Sequence, residues 1–163
     1  MIGPATYDTE VQWAKQVVNL AKANLIRGKK IAAGTLYNSV AYDVNKKTGQ
    51  IEFFYAPEGE FVESGRRRGA RFPPPGAISK WASIKGIPRF RDKKGRYISN
   101  ESRTFLLSRS IVKKGIKPFP FFTDAVEQAT QQLYNDLEDA IVEDIENSMD
   151  QSLAGSQPTH MNF

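Results

Sequence analysis

The sequence predicts an α+β fold, with an N-terminal helix, a small antiparallel β-sheet, middle helices and a long C-terminal helix. Three observations carry this expectation. Apolar residues recur at helical spacing near both ends of the chain: Val11, Ala14, Val18, Ala21 and Leu25 at one, and Phe122, Val126, Ala129, Leu133, Leu137, Ile141, Ile145 and Met149 at the other. Between them, β-forming residues alternate with polar ones on either side of the turn-rich Asn45-Lys46-Lys47-Thr48-Gly49, the pattern of a hairpin. Proline and glycine then divide the middle of the chain into short segments.

The first helix starts near Asp8, with Asp8 or Thr6 available to accept its free N–H groups, and Gly28-Lys29-Lys30 supplies its stop. Val17 and Leu20 widen its apolar stripe, and Trp13 lies beside it, either as a partly buried edge residue or as an anchor for another subunit. Ile31–Val44 reads as a turn entering a strand, and Gln50–Tyr55 as its hairpin partner, with Ile51, Phe53 and Tyr55 on one side and Phe54 on the other. Pro57 and Gly59 interrupt the sheet before Phe61-Val62-Glu63, read as a short third strand. A basic, glycine-flanked loop follows, carrying Arg66, Arg67, Arg68 and Arg71 and ending in Phe72-Pro73-Pro74-Pro75. Ala77–Ile84 forms a short helix ended by Gly86 and Pro88. A second basic loop then carries Arg89, Arg91, Lys93, Lys94 and Arg96, with its turn at Lys94-Gly95. Ser99 or Asn100 caps a helix to Lys114 that is expected to bury Phe105, Leu106, Ile111 and Val112.

The link Gly115–Phe122 is stiff, because Pro118 and Pro120 fix their own φ and hold the residues before them extended. Phe119, Phe121 and Phe122 carry too much apolar surface to leave in water, at about 1.5–3 kcal/mol for each ring buried. They are expected to dock on the body or on a neighbouring chain. The helix after them would be roughly 40 Å long if unbroken to Met149, more than the body needs to cover itself.

The chain has 163 residues and no cysteine, so no disulfide framework, thiolate nucleophile or cysteine metal site is available to it. Met1-Ile2-Gly3-Pro4 is expected to be an unprocessed start, and no run reaches the ~18 apolar residues of a membrane span. The net charge of +5 conceals a segregation: residues 1–120 hold all 23 Lys and Arg with nine acids, a net of +14, and residues 121–163 hold nine acids and no Lys or Arg. The expected organisation is a basic α+β body over 1–120, an acidic amphipathic helical arm over 121–151 and a flexible polar tail over 152–163.

An enzyme is not indicated. The one histidine, His160, falls in the polar tail, and no phosphate loop, dinucleotide fingerprint or metal-ligand cluster is present. No catalytic, cofactor-binding or metal-ligating residue is assigned, and Asp43, Glu52, Glu58, Glu60 and Glu63 read as solvated charge. The two basic loops, interleaved with Phe72, Phe90 and Tyr97, can neutralise phosphates without reading sequence, or can meet acidic protein. On the arm, Asp136, Asp139, Glu143 and Asp144 are candidate partner contacts together with Phe119, Phe121 and Phe122.

Three stretches also carry a resemblance. They are Gly34-Thr35-Leu36-Tyr37-Asn38-Ser39-Val40; Tyr55-Ala56 leading to Phe61-Val62-Glu63-Ser64-Gly65; and Pro118-Phe119-Pro120-Phe121-Phe122 followed by Ala125. In order and spacing over roughly residues 8–140 they resemble the signatures of the tail-completion (minor tail, neck, head–tail connector) proteins of tailed double-stranded DNA bacteriophages. Ala33 stands where that family has Thr, Ser64 where it has Phe, and the arm beyond Ala140 exceeds the usual length. The resemblance implies a non-enzymatic α+β virion structural protein without cofactor. It would form a homo-oligomeric ring, a hexamer or dodecamer, around the DNA passage, touching portal or connector and tail proteins. It would be assembled in the host cytoplasm and located in the neck or tail of the virion, with possible non-specific contact to genomic DNA and none to membrane. The alternative is a non-specific basic DNA-binding accessory protein.

Overall fold

The computed structural model describes residues 3–154. His160 and residues 155–163 of the expected polar tail lie outside the described residues. The elements follow in the order α1 (Pro4–Arg27), α2 (Thr35–Ser39), β1 (Ala41–Asn45), β2 (Gln50–Phe54), α3 (Glu58–Glu63), α4 (Pro75–Ile84), α5 (Asn100–Lys114) and α6 (Phe121–Ala154). This is an α+β fold whose one sheet, among the described residues, is the antiparallel pair β1–β2, with Tyr42 opposite Phe53 and Val44 opposite Ile51.

The frame is the pair α1 and α6, which run antiparallel. The alanines Ala14, Ala21, Ala125, Ala129 and Ala140 are all buried, and side chains this small let two helices approach closely. Val17, Val18, Leu25, Leu36, Val40 and Phe121 fill the core around them, with Phe53, Tyr55, Phe119 and Phe122 packed partly buried against it. α1 has 24 residues, and the part of α6 from Phe121 to Asp144 has the same number. The two therefore match end to end. At one end Asn24 Nδ2 donates to the Phe121 carbonyl at 2.9 Å; at the other the Asp144 carboxylate accepts from the Ala5 N–H (3.0 Å), the Thr6 N–H (2.9 Å) and the Thr6 hydroxyl (2.6 Å).

Several expectations are corrected. α1 begins at Pro4, whose missing N–H is no loss at the first helical position, so Thr6 and Asp8 lie inside the helix and the capping oxygen comes from Asp144 instead. Phe61-Val62-Glu63 is the end of helix α3, not a strand. Pro57 holds a helical φ of −55°, Glu58 and Glu60 occupy the first turn, and Gly59 is buried where a Cβ would strike the Tyr55 ring. The segment before β1 holds one helical turn, α2, led by Gly34 at φ +80°. α5 is capped by Ser99, whose Oγ accepts from the Ser102 N–H at 3.2 Å, but it buries Thr104 and Ser108 rather than Phe105 and Leu106, which stay 55% and 43% exposed. α5 packs on α4, and Arg103 reaches past that contact to donate to the Ala82 and Ile87 carbonyls. Small side chains suit this close crossing, and the large apolar ones are turned outward. α6 is continuous through Ala154, so the expected tail is helical over its first three residues, 152–154.

Candidate interaction site

The residues singled out in the sequence separate into an internal junction and an outward surface. The junction is the start of α6. Phe121 is fully buried, and Tyr55 meets it edge to face with ring centroids 5.7 Å apart; Phe122 lies 5.2 Å from Phe53, which in turn meets Trp13 at 5.8 Å. Phe119 donates its N–H to the Val62 carbonyl at 2.8 Å and lies under the Lys30 ammonium. Of the two dockings expected for the aromatic cluster, on the body or on a neighbouring chain, the structure has the first: Phe119, Phe121 and Phe122 pack on the body of their own chain. The free N–H groups of α6 are met by Glu63, whose carboxylate accepts from the Phe122 N–H (2.9 Å), the Thr123 N–H (2.9 Å) and the Thr123 hydroxyl (2.6 Å). Burial, and then the carboxylates of Glu60 and Glu63, push the Tyr55 hydroxyl above its ordinary pKa.

The first basic loop is sewn to the same junction. Arg66 and Ile116 exchange two backbone hydrogen bonds of 2.8 Å. Gly65, at φ +72°, leaves no room for a side chain, since a Cβ there would stand 2.5 Å from the Ile116 carbonyl oxygen. Gly69 N–H then donates to the Val112 carbonyl at 2.9 Å, laying the loop along α5. Arg66 packs over Phe61 and donates to the Arg71 carbonyl, whereas Arg67, Arg68 and Arg71 are exposed. In the second loop Arg91 and Tyr97 form a β-bridge, the guanidinium stacks 4.4 Å from the Tyr97 ring centroid, and Asp92 pairs with Arg96 at 3.0 Å while accepting from the Lys94 and Arg96 N–H groups. Those N–H donors and the Arg96 side chain hold the Asp92 carboxyl below its usual range. All five cations of this loop are exposed, Arg91 and Arg96 while engaged with Tyr97 and Asp92 within the turn, alongside Arg89, Lys93 and Lys94.

The acids of α6 also divide. Asp144 faces α1, and the Thr6 hydroxyl and backbone N–H groups lower its pKa, so it is engaged within the chain and is not a free partner contact. Asp136 lines a shallow cleft of about 270 Å³ with Asp8, Gln12 and Trp13, and Asp139 and Glu143 are exposed. Past Asp144 the helix continues for ten residues, about 15 Å at 1.5 Å per residue, beyond the reach of α1. Ile145, Met149 and Leu153 lie there at four-residue steps and are 54%, 60% and 67% exposed.

A second exposed apolar surface lies across the molecule's basic part, where Phe72 stacks on Phe105 with ring centroids 6.0 Å apart and planes inclined by 11°. With Pro73, Pro74, Pro75 and Ser79 on one wall and Asn100, Glu101, Thr104 and Ser108 of α5 on the other, they line an open groove of about 640 Å³. Among the described residues no group of three His, Cys, Asp or Glu is placed to hold a metal ion, and no helix is long and apolar enough to cross a membrane. No family model, curated protein or solved structure matches this chain.

Sequence reasoning missed Glu63 and Asp144 as caps for helices far away in the chain, and it missed the groove. The signal for the caps was the want of a local one: Gly3 precedes α1 and Pro120 precedes α6, so each helix start lacks a neighbouring side-chain acceptor.

Proposed function

We propose that the chain is a structural subunit of a bacteriophage neck or tail-completion ring, joining head and tail around the DNA passage. The observation that carries this reading is the meeting of the three resembling stretches at one junction. Ser39 Oγ accepts from the Ala56 N–H at 2.8 Å, Glu63 caps the helix opened by Phe121-Phe122, and Gly65 lies against Ile116 and Pro118. Residues distant in sequence that fit one another in this way support a shared scaffold over chance likeness. The scaffold leaves an acidic helix end with exposed apolar residues and the groove of Phe72 and Phe105 outside, which suits a subunit that finishes burying its surface against neighbours. In this reading the subunit is assembled in the host cytoplasm and resides in the neck or tail of the virion, with portal or connector and tail proteins on either side.

A second reading, a non-specific DNA-binding accessory protein, is favoured by the exposure of Arg67, Arg68 and Arg71 and of Arg89, Lys93 and Lys94 in the second loop. Mass photometry of the purified protein, with a duplex DNA titration at several salt concentrations, separates the two. A ring-sized species and weak DNA affinity are expected. A monomer that binds duplex DNA with affinity falling steeply in salt overturns the ring in favour of the accessory protein.

A further inference from the structure

We infer that the projecting end of α6 from one copy of this chain seats in the groove between Phe72–Gly76 and α5 of a second copy, so that subunits join head to tail. The inference rests on the ring reading and names the two surfaces that would close it.

The outer surface of α6 carries two rows that run from the part paired with α1 onto the projecting end. Tyr134, Ile141, Ile145, Met149 and Leu153 form an exposed apolar stripe, 43–73% exposed, on the side of α6 turned away from the buried alanines. Beside it Asp136, Asp139, Glu143, Glu146 and Asp150 recur at steps of three and four, which places them on one flank of the helix. All five are exposed. No Lys or Arg follows Pro120, so nothing on this helix neutralises them.

The groove presents the complement. One wall, Phe72–Gly76, is apolar, and the α5 wall sets Asn100, Glu101, Thr104 and Ser108 beside the Phe105 ring; in the chain Arg71 directly precedes Phe72 and Arg109 directly follows Ser108. Glu101 is the single acid among the lining residues, at the opposite end of α5 from Lys113 and Lys114. An apolar ridge flanked by carboxylates would therefore meet a groove holding the stacked Phe72 and Phe105 rings, with the guanidinium-bearing Arg71 and Arg109 next to its lining residues in the chain. Pairing one α6 stripe with another would instead bring two acidic rows into one interface with no cation between them, a like-charge arrangement that is strongly disfavoured. A contact between unlike surfaces repeats from copy to copy and closes into a ring when its rotation allows. The apolar stripe supplies the affinity, since exposed ion pairs add only about 0–1 kcal/mol each, and the charges fix the register.

The test uses two full-length variants, Met149→Glu on the helix end and Phe105→Glu on the groove wall, both at exposed positions, with circular dichroism to confirm the fold. Ile145→Glu and Phe72→Ser replace them if either fails to fold. Wild type is expected to assemble in mass photometry. Each variant alone should need at least about tenfold more protein to do so, a loss of about 1.4 kcal/mol or more. Mixed in equal amounts, they should pair through the one intact helix end and the one intact groove and stop at a heterodimer. If wild type forms rings and neither variant changes them, other surfaces close the ring; the docking is wrong and the ring reading stands. If each variant is defective but the mixture gives no heterodimer, the contact is not head to tail and the inference falls. If wild type stays monomeric throughout the concentration range, the ring reading fails and takes this docking with it.

Discussion

Glu63 and Asp144 do for two helices what a neighbouring Ser or Asp does for most, yet each acts across a large sequence separation: 59 residues for Glu63 to Phe122 and 139 for Asp144 to Ala5. Glu63→Ala should lower the urea midpoint by an amount equivalent to about 1 kcal/mol. An unchanged midpoint would mean that water replaces the carboxylate at no cost. For Asp144 the readout is pH. Its folded-state pKa lies below the unfolded one, so its stabilisation is complete above the unfolded value and is lost as pH falls through the folded one. Asp144→Ala should therefore be less stable than wild type at pH 7, with the difference narrowing below about pH 4. Phe121→Ala, at a fully buried ring, should cost about 3–5 kcal/mol in the same denaturation experiment. Gly65 and Gly69 both have positive φ, +72° and +76°, but only Gly65 has backbone where a Cβ would go. Gly69→Ala should cost about 1–2 kcal/mol for the left-handed conformation alone, and Gly65→Ala clearly more, as read from thermal unfolding.

At the scale of elements, the helices were legible where a single face is buried, and less so where the apolar face changes direction. α1 shows its buried face plainly through Ala14, Val17, Val18, Ala21 and Leu25. On α6, Leu133 and Leu137 keep to the seam, but each further step of four residues advances about 40° around the helix. Ile141, Ile145 and Met149 thus rotate off the seam and out into solvent, while Ala140 and Asp144 hold the line against α1. One stripe in the sequence is two faces in the structure. The hairpin was legible from its turn, with Gly49 at φ +70°. α3 was not, because Phe61-Val62-Glu63 is too short for period two and period 3.6 to differ, and α5 misled because its buried residues are Thr104 and Ser108. Amide hydrogen exchange should show protection along α6 as far as Asp144 and a sharp fall over the next ten residues in the unassembled protein. Uniform protection to Ala154 would show that the projecting end is held some other way.

For the molecule as a whole, charge segregation is the property most visible in the sequence, and the structure sharpens what it can do. Reversing Asp136, Asp139 and Glu143 to Lys should slow assembly while leaving the fold intact, whereas adding Asp144→Lys should also destabilise the monomer, because it sets a cation against the positive end of α1. With a Debye length of about 8 Å near physiological salt and about 3 Å at 1 M, wild-type assembly should slow in high salt while formed rings persist, followed by light scattering in time. Equal rates at both salt concentrations would make the segregation incidental. The clasp between Thr6 and Asp144 has a further consequence, for the order of events during synthesis. The first helix leaves the ribosome long before the carboxylate that finishes its N-terminus has been translated, and before the alanines of α6 that cover its apolar face exist. At about 5–20 residues per second, that interval lasts many seconds, with Val17, Val18 and Leu25 waiting for their partner. The native frame can close only once nearly all of the described chain has emerged, so this fold is expected to form late in a single step and to need protection of its first helix until then.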